Sequence, residues 1–194
     1  YYNALIDPAE AAHRADLRGL PIFTIDSAET KDIDDAISLT KTPDGGFELG
    51  VHIADVSNYV KPGSELDNEA FNRATSVYYA DQVVPMLPKQ LSNGICSLNE
   101  GVLRLAFSCL MRLDKDGNLT DYRFVKSVIR SRVKGVYSEI NALLAGSTDD
   151  ELTGKYHEVL AQLPAMKELY GHRARLRKER GCMDIELSLI HISE

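Results

Sequence analysis

Tryptophan is absent from this 194-residue sequence, and cysteine is scarce, occurring only as Cys96, Cys109 and Cys182. Three widely spaced thiols, odd in number, make neither a disulfide framework nor a paired-cysteine zinc site. A reduced, cytoplasmic protein is the expectation. No apolar run approaches the ~20 residues of a membrane helix, and no signal-peptide pattern opens the chain. Tyr1 stands where an initiator Met would, so the N-terminus is expected not to be the natural one. Positive charge is also in short supply. Against 29 Asp and Glu there are 22 Lys and Arg, a formal net charge of -7 that by itself argues against a nucleic-acid partner.

What is there is unevenly spread. Arg123, Lys126, Arg130, Arg132 and Lys134 fall in a stretch without an acid, and six Lys or Arg lie between Lys167 and Arg180. The acids gather elsewhere, notably from Asp26 to Asp35. A cationic track beside an acidic pocket suits an enzyme that holds a polyanion and uses cations for chemistry. Solvated helix and strand faces are the plain alternative. Hydrophobic residues make up 44% of the chain, enough for one domain with a sizeable core.

Pro21 to Asp26 reads as a short strand with Phe23 and Ile25 on one face. Ala36 to Lys41 and Phe47 to Ala54 read as a hairpin about the turn Pro43-Asp44-Gly45-Gly46. In the second of these, Phe47, Leu49, Val51 and Ile53 alternate with Glu48, Gly50 and His52, so one face is apolar. Ser64 is placed to cap a helix over Glu65 to Arg73, with Leu66, Ala70 and Phe71 turned inward. A second hairpin joins Leu103–Leu113 to a strand from Leu119 to Ile129. Ser138 to Leu144 reads as a short helix stopped at Gly146. Asp149 to Arg180 has helical periodicity, with Val159, Leu163, Met166, Leu169 and Leu176 as the buried stripe. Pro164 either starts a new segment or kinks the old one. The class is α+β, mainly antiparallel strands and hairpins packed with helices.

The most informative stretch is Asp26-Ser27-Ala28-Glu29-Thr30-Lys31-Asp32-Ile33-Asp34-Asp35, with four aspartates in ten residues where a strand ends. In a regular strand Asp32 and Asp34 face one way and Asp35 the other, so convergence of all four requires a loop from Ser27 to Asp35. Crowded carboxylates repel and resist ionisation unless a cation offsets them. Oxygen ligands favour Mg²⁺ or Mn²⁺, and two such ions ~3.5–4 Å apart support phosphodiester hydrolysis. A solvated acidic turn is the alternative at this level. An EF-hand calcium loop is a poor match, because its glycine, terminal Glu and flanking helices are missing from the required places.

The wider text adds to this. The block from Asp26 to Ile37 resembles the signature of the ribonuclease II/R catalytic (RNB) domain. His52-Ile53-Ala54-Asp55-Val56-Ser57, Thr75-Ser76-Val77-Tyr78 and Val84-Pro85-Met86-Leu87-Pro88 follow in the family's order. Leu91-Ser92-Asn93, Cys96-Ser97-Leu98-Asn99 and Ser127-Val128-Ile129-Arg130-Ser131 complete the series. The wording is nearer the ribonuclease R branch than the ribonuclease II branch. The resemblance implies 3′→5′ exoribonuclease action on single-stranded RNA, releasing nucleoside 5′-monophosphates with Mg²⁺, Mn²⁺ being a substitute. By position, Asp26, Asp32 and Asp35 correspond to metal ligands. Asp34 corresponds to the aspartate whose loss abolishes chemistry but not RNA binding. Tyr78 corresponds to a tyrosine that stacks on a base near the 3′ end, and Tyr137 to a second aromatic of the RNA channel, although Val133 to Val136 departs from the usual wording. His52 and Asp55 sit beside the site in the family and are read here as structural. Ser27-Ala28, Asn58, Ala74 and Ala80 differ from the residues most frequent there.

The resemblance runs from about Asp16 to Glu186, which makes residues 1–186 a partial RNB domain. The family's later glutamate and arginine motifs and its flanking RNA-binding domains are not in the sequence, so this chain alone is expected not to hydrolyse RNA efficiently. Residues 187–194 are expected to be a non-native, adapter-derived tail, and His191 carries no functional weight. A monomer without membrane attachment is expected. The rival readings are a non-catalytic RNA-binding relative, against which the four aspartates argue, and a metal-binding module unrelated to RNA.

Overall fold

The computed structural model describes residues 6–79 and 82–182. The expectations for Ala80, for the family match beyond Cys182 and for the 187–194 tail lie outside the described residues. Helix α1 (Pro8–Ala12) and strand β1 (Ala15–Asp16) lead into β2 (Thr24–Asp26), β3 (Asp35–Lys41) and β4 (Phe47–Ala54). Helix α2 (Glu65–Arg73) and the short strands β5 (Val77–Tyr78) and β6 (Val83–Val84) follow. Next come the long strands β7 (Leu103–Leu113) and β8 (Leu119–Arg130), then β9 (Lys134–Val136). The last described elements are α3 (Tyr137–Leu144), α4 (Asp150–Lys155) and α5 (Leu163–Glu179).

Five strands form one sheet in the order β1-β8-β7-β4-β3, antiparallel except for the β1–β8 edge pair. Both expected hairpins are present. Gly45 and Gly117 adopt positive φ (84° and 81°) at their turns, a conformation L side chains resist. β2 leaves this sheet after an antiparallel bridge from Phe23 to Ile37 and pairs in parallel with β9. That pairing places Asp26 opposite Val136.

Core packing divides between the two faces. One cluster holds Ile22, Ile33, Ala36, Ala54, Leu98, Ala106 and Ile129; another joins Phe23, Val133, Ile140, Tyr156, Val159 and Leu163. Leu169 of α5 covers Leu39, Phe47 and Leu113. α5 reaches only part of the apolar sheet face. Phe107 and Phe124 stack with centroids 5.7 Å apart and remain exposed, as does Tyr122.

Two expectations change, and the structure decides which face of β4 is covered, a point the alternation had left open. The single helical pattern over Asp149–Arg180 is broken: α4 ends at Lys155, a 3₁₀ turn spans Leu160–Gln162, and Pro164 lies in the first turn of α5, where its missing N–H costs nothing. In α2, Leu66 and Ala70 are half-buried but Phe71 is 84% exposed, because it sits ~100° round the helix from the face they share. In β4 the face carrying Gly50 and His52 is the more deeply buried, whereas Ile53 on the apolar face is 44% exposed.

Candidate active site

The C-terminal part of the acidic loop is anchored by Ile33. Ile33 is 1% exposed in the core, and its amide donates to Ser97 Oγ (3.1 Å) while its carbonyl accepts from Leu98 N (2.9 Å). Ser97 Oγ in turn donates to the carbonyl of Lys31 (2.8 Å). With Ile33 pointing inward, the extended-chain alternation directs Asp32 and Asp34 outward. Asp34 O accepts from Ala54 N (2.9 Å), and Asp35 opens β3 opposite Ile53. Asp26 arrives independently, as the last residue of β2.

These carboxylates feel one another. The Asp26 pKa is raised, first by desolvation and then by repulsion from Asp35 and Asp32, with Lys134 opposing. That of Asp34 is raised too, by desolvation first and then by Asp32, Asp35 and Asp26. The structure therefore brings all four aspartates into one electrostatic neighbourhood. Among the described residues no group of three or more His, Cys, Asp or Glu is arranged as a ready-made metal cage. Mg²⁺ does not require one, since water and substrate phosphate commonly complete a shell that protein carboxylates only begin. The hard-oxygen donors and their mutual repulsion fit that cation.

Tyr78 lies against this cluster. Its hydroxyl donates to Asp32 Oδ2 (3.0 Å), while the side chain as a whole is 66% exposed. An open groove of about 640 Å³ runs from here, lined by residues that include Ser27, Asp32, Tyr78, Tyr79, Lys89 and Asn93. Tyr79 and Lys89 were not singled out by sequence. The only signals were a second exposed-type aromatic beside Tyr78 and an isolated cation. Tyr137, 59% exposed, starts α3 immediately after Val136, so strand register alone puts it at the Asp26 end of the β2–β9 pair.

The neighbouring polar residues are architectural. His52 is fully buried between Ser38 Oγ (3.1 Å from Nε2) and Ser108 Oγ (2.8 Å from Nδ1). Burial pushes its pKa down to about 4. Asp55 accepts from Arg14 Nη2 (2.7 Å) and from Ser57 Oγ (2.7 Å). The expected cationic track is divided. Arg132 engages Glu158 and the carbonyl of Arg18, Lys134 turns onto the acidic loop, and Arg123 and Lys126, three residues apart, take opposite faces of β8.

An outward-facing acidic loop beside an aromatic-lined groove, on a partly open antiparallel sheet, makes this face the candidate active site. The RNB domain family matches residues 14–194, and the chain belongs to that family. It is 43% identical over 177 residues to Ribonuclease R 1 of Lactococcus lactis and 44% identical over 180 residues to Ribonuclease R of Escherichia coli. Those alignments cover 91% and 92% of this chain but only 21% and 22% of the relatives, so the chain spans about a fifth of their length. The structure of Mycoplasma genitalium RNase R in complex with double-stranded RNA superposes with a TM-score of 0.83 at 34% identity, covering 94% of this chain and 32% of that one. No helix among the described residues is long and apolar enough to cross a membrane.

Proposed function

We propose that this chain is the acidic half of the catalytic domain of a Mg²⁺-dependent 3′→5′ exoribonuclease acting on single-stranded RNA. The observation that carries the reading is the mutual electrostatic influence of Asp26, Asp32, Asp34 and Asp35, of which Asp32 lines the groove and accepts a hydrogen bond from the Tyr78 hydroxyl. Asp26, Asp32 and Asp35 would hold Mg²⁺ (or Mn²⁺), which when bound supplies charge neutralisation at the scissile phosphate. Asp34 would orient the attacking water. Water oxygen bonds to phosphorus, the bond from phosphorus to the 3′-oxygen of the preceding nucleotide breaks, and that oxygen leaves as a hydroxyl. The products are a nucleoside 5′-monophosphate and an RNA one residue shorter.

Tyr78 and Tyr137 act on binding. An exposed ring takes any base by stacking, which suits an enzyme that reads no sequence. Lys31 and Lys89 both line the groove, where they would meet the phosphate backbone. Residues 1–194 are proposed not to suffice for efficient hydrolysis, because they correspond to about a fifth of the relatives' length.

The test digests a 5′-labelled single-stranded RNA with the full-length protein, with and without Mg²⁺. Shortening from the 3′ end, abolished by EDTA and by Asp34→Asn, supports the reading. RNA binding without shortening overturns it in favour of a non-catalytic RNA-binding protein.

A further inference from the structure

The loop that carries the carboxylates has few internal bonds of its own. Ser27 Oγ lies 2.8 Å from Thr30 Oγ1, and Thr30 N donates to Ser27 O at 3.2 Å. Between Asp26 and Asp32, most of the fixing comes from outside, and much of it from one side chain. Lys134 Nζ donates to the carbonyl of Ala28 (2.8 Å) and to that of Thr30 (2.7 Å).

The lysine is itself firmly placed. Its residue pairs with Thr24 across the parallel β2–β9 ladder, and its amide donates to Glu100 Oε2 (2.8 Å). Two residues on, Val136 N donates to the hydroxyl of the fully buried Tyr156 (2.9 Å), which donates to Glu139 Oε2 (2.5 Å). One strand thus pairs with the strand that ends in Asp26 and also grips the loop that leads to Asp32. The Lys134 ammonium also supplies a positive charge near Asp26.

We propose that Lys134 is a positioning residue that holds the 27–33 loop so that Asp26 and Asp32 keep their mutual spacing. The proposal rests on the nuclease reading for its catalytic consequence, but not for its structural one. A lysine suits the task because an ammonium presents several donors from one compact point, matching two carbonyls that converge.

The test compares wild type, Lys134→Met and Lys134→Arg in the full-length protein by amide hydrogen exchange, Mn²⁺ binding calorimetry and RNA degradation kinetics. In Lys134→Met, exchange at the Thr30 and Ile33 amides is expected to quicken about tenfold or more, the equivalent of one charge-assisted hydrogen bond. Mn²⁺ affinity and kcat should fall by a similar factor while KM for RNA stays within about twofold. Lys134→Arg, which keeps charge and donors, should recover most of each loss. Unchanged loop exchange overturns the proposal. So does a parallel loss of thermal stability, KM and kcat that Arg does not relieve, since that would make Lys134 merely structural. A wild-type protein without nuclease activity would refute the exoribonuclease reading alone, and the exchange rates would still decide the role of Lys134.

Discussion

The hydroxyl of Tyr78 donates to Oδ2 of Asp32 across 3.0 Å, joining the residue proposed to stack on RNA to one proposed to hold the cation. The bond raises the Tyr78 pKa, with the Asp32 charge adding to the effect, so the phenol stays protonated and able to donate. Removing the ring and removing only the hydroxyl should therefore have different consequences. Tyr78→Ala is expected to weaken RNA binding by ~1–3 kcal/mol through lost stacking. Tyr78→Phe should leave RNA affinity within about twofold and alter the Mg²⁺ concentration required for half-maximal activity, because Asp32 loses its donor. Fluorescence anisotropy with labelled RNA and a Mg²⁺ titration of activity separate the two.

Arg14 and Asp55 form an ion pair at 2.7 Å with side chains 1% and 3% exposed. Burial disfavours the Asp55 carboxylate most strongly, but the bonds from Ser57 and Arg14, with the charges of Arg14 and Lys126, outweigh it and leave the pKa lowered. Breaking one side of such a pair strands a buried charge. Arg14→Met is expected to cost ~3–5 kcal/mol, read as a lower urea midpoint.

His52 gives a pH signature. Its pKa is about 4 in the fold against an ordinary value of 6.5, because the buried imidazole resists protonation. A base with a depressed folded pKa favours folding fully above its unfolded pKa. That contribution is lost progressively as pH falls from about 6.5 to about 4, where the unfolded chain binds a proton that the fold refuses. The loss amounts to ~3 kcal/mol at most. The difference in unfolding free energy between wild type and His52→Gln, followed by urea denaturation from pH 7.5 to pH 4, should narrow on acidification by about that amount.

Much of this fold was legible because its signals are local. The turn at Pro43-Asp44-Gly45-Gly46 and the Ser64 cap were read directly; Ser64 Oγ accepts from Asp67 N at 3.2 Å. Local pattern could not tell which face of β4 is covered, and it placed His52 on a polar face that the fold buries between three strands. Nor could it foresee that Tyr156 interrupts the helical pattern before Pro164 to reach Glu139 and Val136. At the site the aspartates stood out by their density. Lys134 did not, since its bond to Thr30 spans 104 residues of chain and nothing in its neighbours announces the partner.

Ala74 carries a backbone cost that a substitution can measure. It follows α2 with φ 60°, the left-handed conformation in which glycine caps helices and other residues are strained. Ala74→Gly relieves the Cβ contact at the cost of more freedom in the unfolded chain, so a gain of up to ~1 kcal/mol is expected. A rise in melting temperature would register it.

Gly135 tests the opposite case, where a side chain is forbidden by a neighbour rather than by its own backbone. A Cβ built there would lie 2.3 Å from the carbonyl oxygen of Thr24, far inside van der Waals contact with main chain that cannot rotate away. Gly135→Ala must therefore push β9 from β2. Two consequences follow from the register, in which Thr24 faces Lys134 and Asp26 faces Val136. Stability should fall by ~1–3 kcal/mol, as overpacking does elsewhere. Activity should fall further than stability explains, because the displaced strand carries Lys134 away from the Ala28 and Thr30 carbonyls and loosens Asp26 together with the loop. Measuring kcat well below the melting transition, alongside Gly154→Ala as a control whose Cβ meets nothing within 4 Å, distinguishes a displaced site from a weakened fold. Equal and unimpaired kcat in the two variants would show that the β2–β9 spacing does not govern the site.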